Sequence, residues 1–216
     1  MKNIFTGTVI RWLRLAAMLI SLTLPATYVA MVTYHQGMIP TLLALSISSG
    51  REGVPLPAIM EALLMEITFE LFREAGIRLP RAVGQAVSIV GALIIGEAAV
   101  QAGLVSPIMI IIVATTGIAS FAIPAYNLSI TLRLLRFPII ILAGLFGFPG
   151  LFSGLAFILA HMASLKSFGI PYLTGANFFG QHGRDNLVRA PHWAQLLRPR
   201  SIGRMAPIRQ KKRQRS

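Results

Sequence analysis

Apolar residues run along this chain in long blocks rather than in the alternation of strands. Four blocks are long enough to cross a hydrocarbon core of about 30 Å as helices of about twenty residues: Trp12 to Tyr34, Ala82 to Gly103, Leu104 to Tyr126 and Phe137 to His161. Runs such as "SPIMIIIVATTGIASFAIP" are apolar on every side. That excludes a transmembrane β-barrel, whose strands would alternate with a period of two. The pattern predicts an all-α fold, a polytopic integral membrane helical bundle of about four spans, with an additional acidic helix, amphipathic or re-entrant, after the first.

Pro57 suits a first helical position, Gly76 a left-handed cap and Pro80 a stop, which predicts that acidic helix from Pro57 to Ala75. The surrounding segment, Arg51 to Pro80, holds five of the seven acidic residues of the chain. At about 100° per residue, Glu66, Glu70, Glu74 and Arg73 share a narrow stripe, apolar side chains such as Ile59, Met65 and Phe69 cover most of the remainder, and Glu61 stands nearly opposite. Like charges four apart repel by about 0.2–0.5 kcal/mol, so the three carboxylates do not support the helix by themselves and something else must favour them. Three readings are open. Arg73 and Arg78 can make it an ion-pair ladder; the carboxylates can line an ion pathway, as acidic rings do in cation channels; or the helix can lie flat on a membrane surface. Glu97, near the end of the second span, is a further pathway candidate, because ionisable groups within spans face a bundle interior or a cavity; solvation at the interface is its alternative.

Gly84, Ser88, Ala92 and Gly96 recur every four residues in the second span. Such a stripe lets helix backbones approach closely in lipid, within one subunit or between subunits. In "GLFGFPGLFSG", Gly147, Pro149 and Gly150 predict a break in the fourth span, either an ordinary kink or a stretch lining a pathway. Pro124 marks the end of the third.

Composition agrees with a bilayer as solvent: the 216 residues are 55% hydrophobic and 12% charged, with a mean hydropathy of +0.69. There is no cysteine, which excludes disulfides and thiolate chemistry. The net charge of +13 is uneven, since Gln181 to Ser216 carries ten Lys or Arg against Asp185 alone. Lys2, Arg11 and Arg14 precede the first block, which is too long and lacks the cleavage site of a secretory signal, and so reads as a retained span. The positive-inside rule then places both termini in the cytoplasm and the acidic segment outside or dipping into the membrane. Arg133 and Arg136, read as a short outer loop, oppose that rule unless they pair with acids. Residues 1–173 form a transmembrane domain and 174–216 a basic cytoplasmic tail, whose charge suits anionic lipid headgroups rather than nucleic acid.

Catalysis has little support. His35, His161, His182 and His192 lack metal-ligand spacing, no phosphate-binding glycine loop is present, and Ser153 and His161 do not share a helical face. No enzyme, metal or cofactor is expected.

The run "REGVPLPAIMEALLMEITFELFREAGIRLPRAVGQAVSIVGALIIGEAAVQAGLVSPIM", with "RLLRFPIIILAG", "HMASLKSFGIPYL" and "LVRAPHW", closely resembles the membrane domain of the A subunits of spore germinant receptors, the GerA/SpoVAF family. The resemblance extends from about Trp12 to Trp193. It implies a receptor subunit of the spore inner membrane that acts with a transporter-like B subunit and a lipoprotein C subunit. It also implies a homo-oligomeric ring, a pentamer, whose nutrient-gated ion channel triggers germination. In such a ring the stripe from Gly84 to Gly96 would meet neighbouring subunits and the Glu66 face would line the pore. Family members carry a sizeable cytoplasmic domain before the first span, whereas this chain begins a few residues ahead of it. A non-conducting scaffold for receptor clusters and, third, a secondary transporter are the alternatives.

Overall fold

A computed structural model describes residues 4–78, 96–167 and 170–171. Among these, the chain is helical apart from a two-residue antiparallel pairing of Lys166–Ser167 with Ile170–Pro171. The helices are α1 (Ile4–Thr33), α2 (Thr41–Arg51), α3 (Ala58–Arg78), α4 (Gly96–Gln101), α5 (Pro107–Phe121), α6 (Tyr126–Phe146) and α7 (Phe148–Ser164), with a short 3₁₀ turn at Gln36–Met38. The chain divides into two units, Ala17–Leu155 and one drawn from Met1–Ala16 and Ala156–Ser216. In the latter, Phe5, Trp12, Leu13, Phe157 and Leu159 are exposed.

The Ala17–Leu155 unit is organised around α3, which packs on both α5 and α6. Small residues set the spacing. A Cβ at Gly117 of α5 would meet the Phe69 ring at 2.6 Å, and one at Gly144 of α6 would collide with Ile59. Ala58, Ala62 and Met65 of α3 join Met109, Val113, Ile139, Ile140 and Ala143 in the apolar core, to which α1 adds Leu22, Ala26, Val29 and Ala30. Ile59 meets Gly144, Glu66 meets Arg136 and Glu70 meets Arg133, so α3 and α6 run antiparallel. The opposite face of α3 is apolar and exposed at Met60, Leu64, Ile67 and Leu71.

Two described helices, α1 from Phe5 and α6, are long and apolar enough to cross a membrane. The first expected span therefore corresponds to a helix of sufficient length, α1, that begins earlier than Trp12. The others change. The second lies largely outside the described residues, which include only its end as α4, closed by Gly103 at φ 66°. The third is the 15-residue α5, started by Ser106 as N-cap with Pro107 behind it and finished before Pro124; that is shorter than the roughly 20 residues a span needs. The fourth is two helices: α6 begins at Tyr126 and so takes Arg133 and Arg136 into its interior, where a loop was expected, and α7 is a separate helix after Gly147. The acidic helix also differs, because it runs through Gly76 to Arg78 rather than capping there. Continuing the helix lets Arg78 reach Glu74 one turn back. Thr41–Arg51, to which the apolar pattern assigned no element, forms α2.

The break between α6 and α7 has a clear local cause. Gly147 adopts φ 66°, ψ −143°, close to a region that only glycine enters readily. Its position is enclosed as well, since a Cβ would lie 2.9 Å from the His35 ring and 3.2 Å from Tyr34. Tyr34 donates its hydroxyl proton to Leu145 O at 2.7 Å, satisfying a carbonyl of the last turn of α6, and the His35 ring tilts against Phe148 at 4.8 Å. Gly150 brings the start of α7 against the Leu142 carbonyl. Gly147→Ala should therefore lower stability by about 1–3 kcal/mol from backbone strain alone, read as a drop in the thermal midpoint of the detergent-purified chain. Gly37→Ala, where an added Cβ meets nothing within 4 Å, should be near neutral.

Candidate functional site

The charged side chains of α3 meet the rest of the bundle in successive layers, one turn or so apart. At the start of the helix, Glu61 is fully buried. It accepts a hydrogen bond from Arg51 Nη1 at 3.0 Å and another from the backbone N–H of Ser106. Arg51 also donates to Leu56 O at 3.4 Å. The carboxylate thus sits at the N-terminus of α5, where unpaired amides and the helix dipole favour negative charge, and it ties α2, α3 and α5 together.

The next layer is the most enclosed. Glu66 Oε2 meets Arg136 Nη1 at 2.6 Å, with side chains only 5% and 3% exposed. Arg136 donates further to Thr116 Oγ1 at 3.3 Å and Ser21 Oγ at 3.0 Å. Thr116 Oγ1 also stands 3.5 Å from Glu66 Oε1. One ion pair therefore joins α1, α3, α5 and α6. Burying two charges costs several kcal/mol per ion, and the pair holds only because geometry and additional hydrogen bonds offset that cost.

Beyond it, Glu70 faces Arg133 at 3.5 Å, with side-chain exposures of 38% and 8%. Arg73 leaves the stripe for α5, donating to Ser120 Oγ at 3.0 Å and Gly117 O at 3.4 Å between the rings of Phe69 and Phe121. Aromatic faces attract a guanidinium in this way. The final layer, Glu74 with Arg78 at 2.7 Å, is exposed. The row thus deepens from a solvent-accessible rim to an enclosed pair.

The structure brings Glu66 and Glu70 into this row with two arginines of α6, turns Arg73 aside onto α5, and leaves Glu74 and Arg78 at its rim. Glu97 is apart and exposed, and receives a hydrogen bond from Gln101 at 3.3 Å. Gly84, Ser88 and Ala92 lie outside the described residues; Gly96 is buried beside Ile110. Gly147, Pro149 and Gly150 form the α6–α7 break, away from the charged row in sequence. Sequence reasoning missed the layer of Glu61, Arg51 and Ser106, and gave no role to Ser21, Thr116 and Ser120. It did carry a signal for Arg133 and Arg136, whose charge conflicts with an outer loop unless acids pair with them. Among the described residues there is no cluster of three or more His, Cys, Asp or Glu that could hold a metal ion.

The family model described as Bacillus/Clostridium GerA spore germination protein matches residues 1–201. Spore germination protein KA of Bacillus subtilis (strain 168) is 54% identical over 210 residues, covering 97% of this chain and 39% of that protein. The Bacillus subtilis (strain 168) protein named "Uncharacterized membrane protein YfkQ" is 53% identical over 199 residues, 92% of this chain and 39% of that protein. Spore germination protein GerLA of Bacillus cereus is 49% identical over 186 residues, 86% of this chain and 38% of that protein. The chain thus spans 38–39% of the length of these relatives. No solved structure matches it.

The burial gradient makes the layers unequal in energy. Glu66→Gln leaves Arg136 buried without its counter-charge and should cost about 3–5 kcal/mol. Glu74→Gln breaks an exposed pair and should cost about 0–1 kcal/mol. Unfolding midpoints of the purified chain and the two variants measure both.

Proposed function

The chain belongs to the GerA family of Bacillus/Clostridium spore germination proteins, and we propose that it is the membrane part of a germinant receptor A subunit that assembles as a homo-oligomer and conducts ions. The observation that carries this reading is the pair of buried arginines, Arg133 and Arg136, inside an apolar helix of membrane-spanning length and facing carboxylates of α3. Charged groups are costly at membrane depth and mark ion or proton pathways when they occur there. The row also opens toward one end, through the half-exposed Glu70 to the exposed Glu74, as the mouth of a pathway would.

On this reading about four spans cross the spore inner membrane with both termini cytoplasmic, and residues 174–216 form a basic tail against anionic lipid. The small-residue stripe of Gly84, Ser88, Ala92 and Gly96 packs against neighbouring subunits in a ring such as a pentamer. Transporter-like B and lipoprotein C subunits are its partners, and nutrient binding in the complex opens the path. In the closed state Arg133 occupies the Glu70 carboxylate, which would otherwise select cations.

A second reading has its own support. Glu66, Glu70 and Glu74 each hold an arginine, so the row can serve as a structural ladder in a non-conducting scaffold that assembles receptor clusters. Ion flux separates the two. Reconstituted with its partner subunits in liposomes and given nutrient, the receptor should pass monovalent cations, and Glu66→Gln with Glu70→Gln should change the cation-to-anion permeability ratio. Intact oligomers that never pass ions would leave the scaffold.

A further inference from the structure

The two ion pairs between α3 and α6 are one helical turn apart, yet they are built differently. Glu66 and Arg136 meet at 2.6 Å and share Thr116 and Ser21 as additional partners. Glu70 and Arg133 meet at 3.5 Å with no further hydrogen-bond partner for the guanidinium among the described residues, the buried Nε of both arginines being without a hydrogen bond there. The Glu70 side chain is 38% exposed, against 5% for Glu66. The first pair is pinned from four helices, whereas the second is long, poorly aligned and open on its carboxylate side.

Glu70 also has a second cation within reach. Arg73 lies three residues on along α3, a spacing that places side chains on neighbouring positions of one helical face. Its present partners are all neutral: the Ser120 hydroxyl, the Gly117 carbonyl and the rings of Phe69 and Phe121. We propose that Glu70 is a releasable latch that exchanges between Arg133 of α6 and Arg73 of its own helix, while Glu66–Arg136 stays fixed as the pivot. Each state keeps one carboxylate–guanidinium pair and leaves one arginine without a carboxylate: Arg73, held by Ser120, Gly117 and two aromatic rings, in the first, and Arg133, whose side chain is 8% exposed, in the second. The Arg133-bound arrangement is therefore the resting one, and a ligand that favours the other must supply the difference through its differential affinity for the two states. In the Arg133-bound state α3 and α6 are tied at two levels; in the Arg73-bound state they are tied at one, and the Tyr126 end of α6 is free to part from α3. That this parting opens an ion path rests on the channel reading above, but the exchange itself does not.

The absence of cysteine from the chain gives a direct readout. Ser129 is buried on α6 one turn from Arg133 and donates to Ser120 O at 3.3 Å. A single Ser129→Cys substitution in the full chain, in membranes, reports how far the buried face of the Tyr126 end of α6 is uncovered, through its rate of reaction with a small maleimide. Glu70→Gln should raise that rate severalfold by removing the latch, and Arg73→Gln should lower it by removing the alternative partner. Exchanging the charges, Glu70→Arg with Arg133→Glu, should return the rate toward that of the parent and excludes simple misfolding as the cause. Equal rates in the parent and both single variants, or a rise in both, would overturn the latch whether or not the protein conducts. Loss of ion flux with the labelling pattern intact would instead overturn the channel reading alone.

Discussion

A carboxylate and a guanidinium buried against each other, Glu66 and Arg136, constrain most of what surrounds them. Neither charge is tolerable in an apolar interior without the other, so α3 and α6 must meet in one register, with Glu66 of α3 opposite Arg136. The remaining donors of Arg136 then draw in Ser21 of α1 and Thr116 of α5. Apolar packing alone would leave the helices free to slide past one another, because dispersion is weakly directional and lipid-facing side chains gain little from burial. The buried pair supplies the direction. Gly117 and Gly144 complete it from the apolar side by letting Phe69 and Ile59 of α3 come close to α5 and α6.

How much of this could be read from the residues depends on the range of each interaction. The α3 stripe was legible because Glu66, Glu70, Arg73 and Glu74 follow a helical period within one segment. The arginines that meet Glu66 and Glu70 lie 70 and 63 positions further along the chain, beyond any local pattern, although the conflict of Arg133 and Arg136 with an outer loop pointed to acidic partners. Glu61 was set aside because the wheel treats a helix as having one inner face. The start of α3 instead packs against Arg51 and the N-terminus of α5, so a carboxylate opposite the stripe is buried too.

Element boundaries followed the same logic. The "GFPG" sequence identified the break before α7, because the backbone demand at Gly147 is local. The start of α6 was placed too late because apolar content was weighed above continuity, and Tyr126 to Arg136 is polar enough to resemble a loop until its arginines have partners. Gly76 failed as a cap for a related reason, since one further turn of helix gains the Glu74–Arg78 pair. The 11-residue α2 is too short for its periodicity to stand out. The site was thus legible on one helix only, and its other half required the tertiary fold.

The charged row requires α3 to lie antiparallel against α6, with Ile59 beside Gly144. A Cβ placed on Gly144 would stand 3.0 Å from the Cβ of Ile59, near the separation of about 3.8 Å found in disulfides. In a chain without native cysteine, Ile59→Cys with Gly144→Cys should oxidise in membranes to an intramolecular disulfide, seen as a gel shift reversed by reductant. Met60→Cys with Gly144→Cys, whose first partner points to the exposed face, should not. Equal cross-linking of both pairs, or of neither, would contradict the arrangement on which the charged row depends.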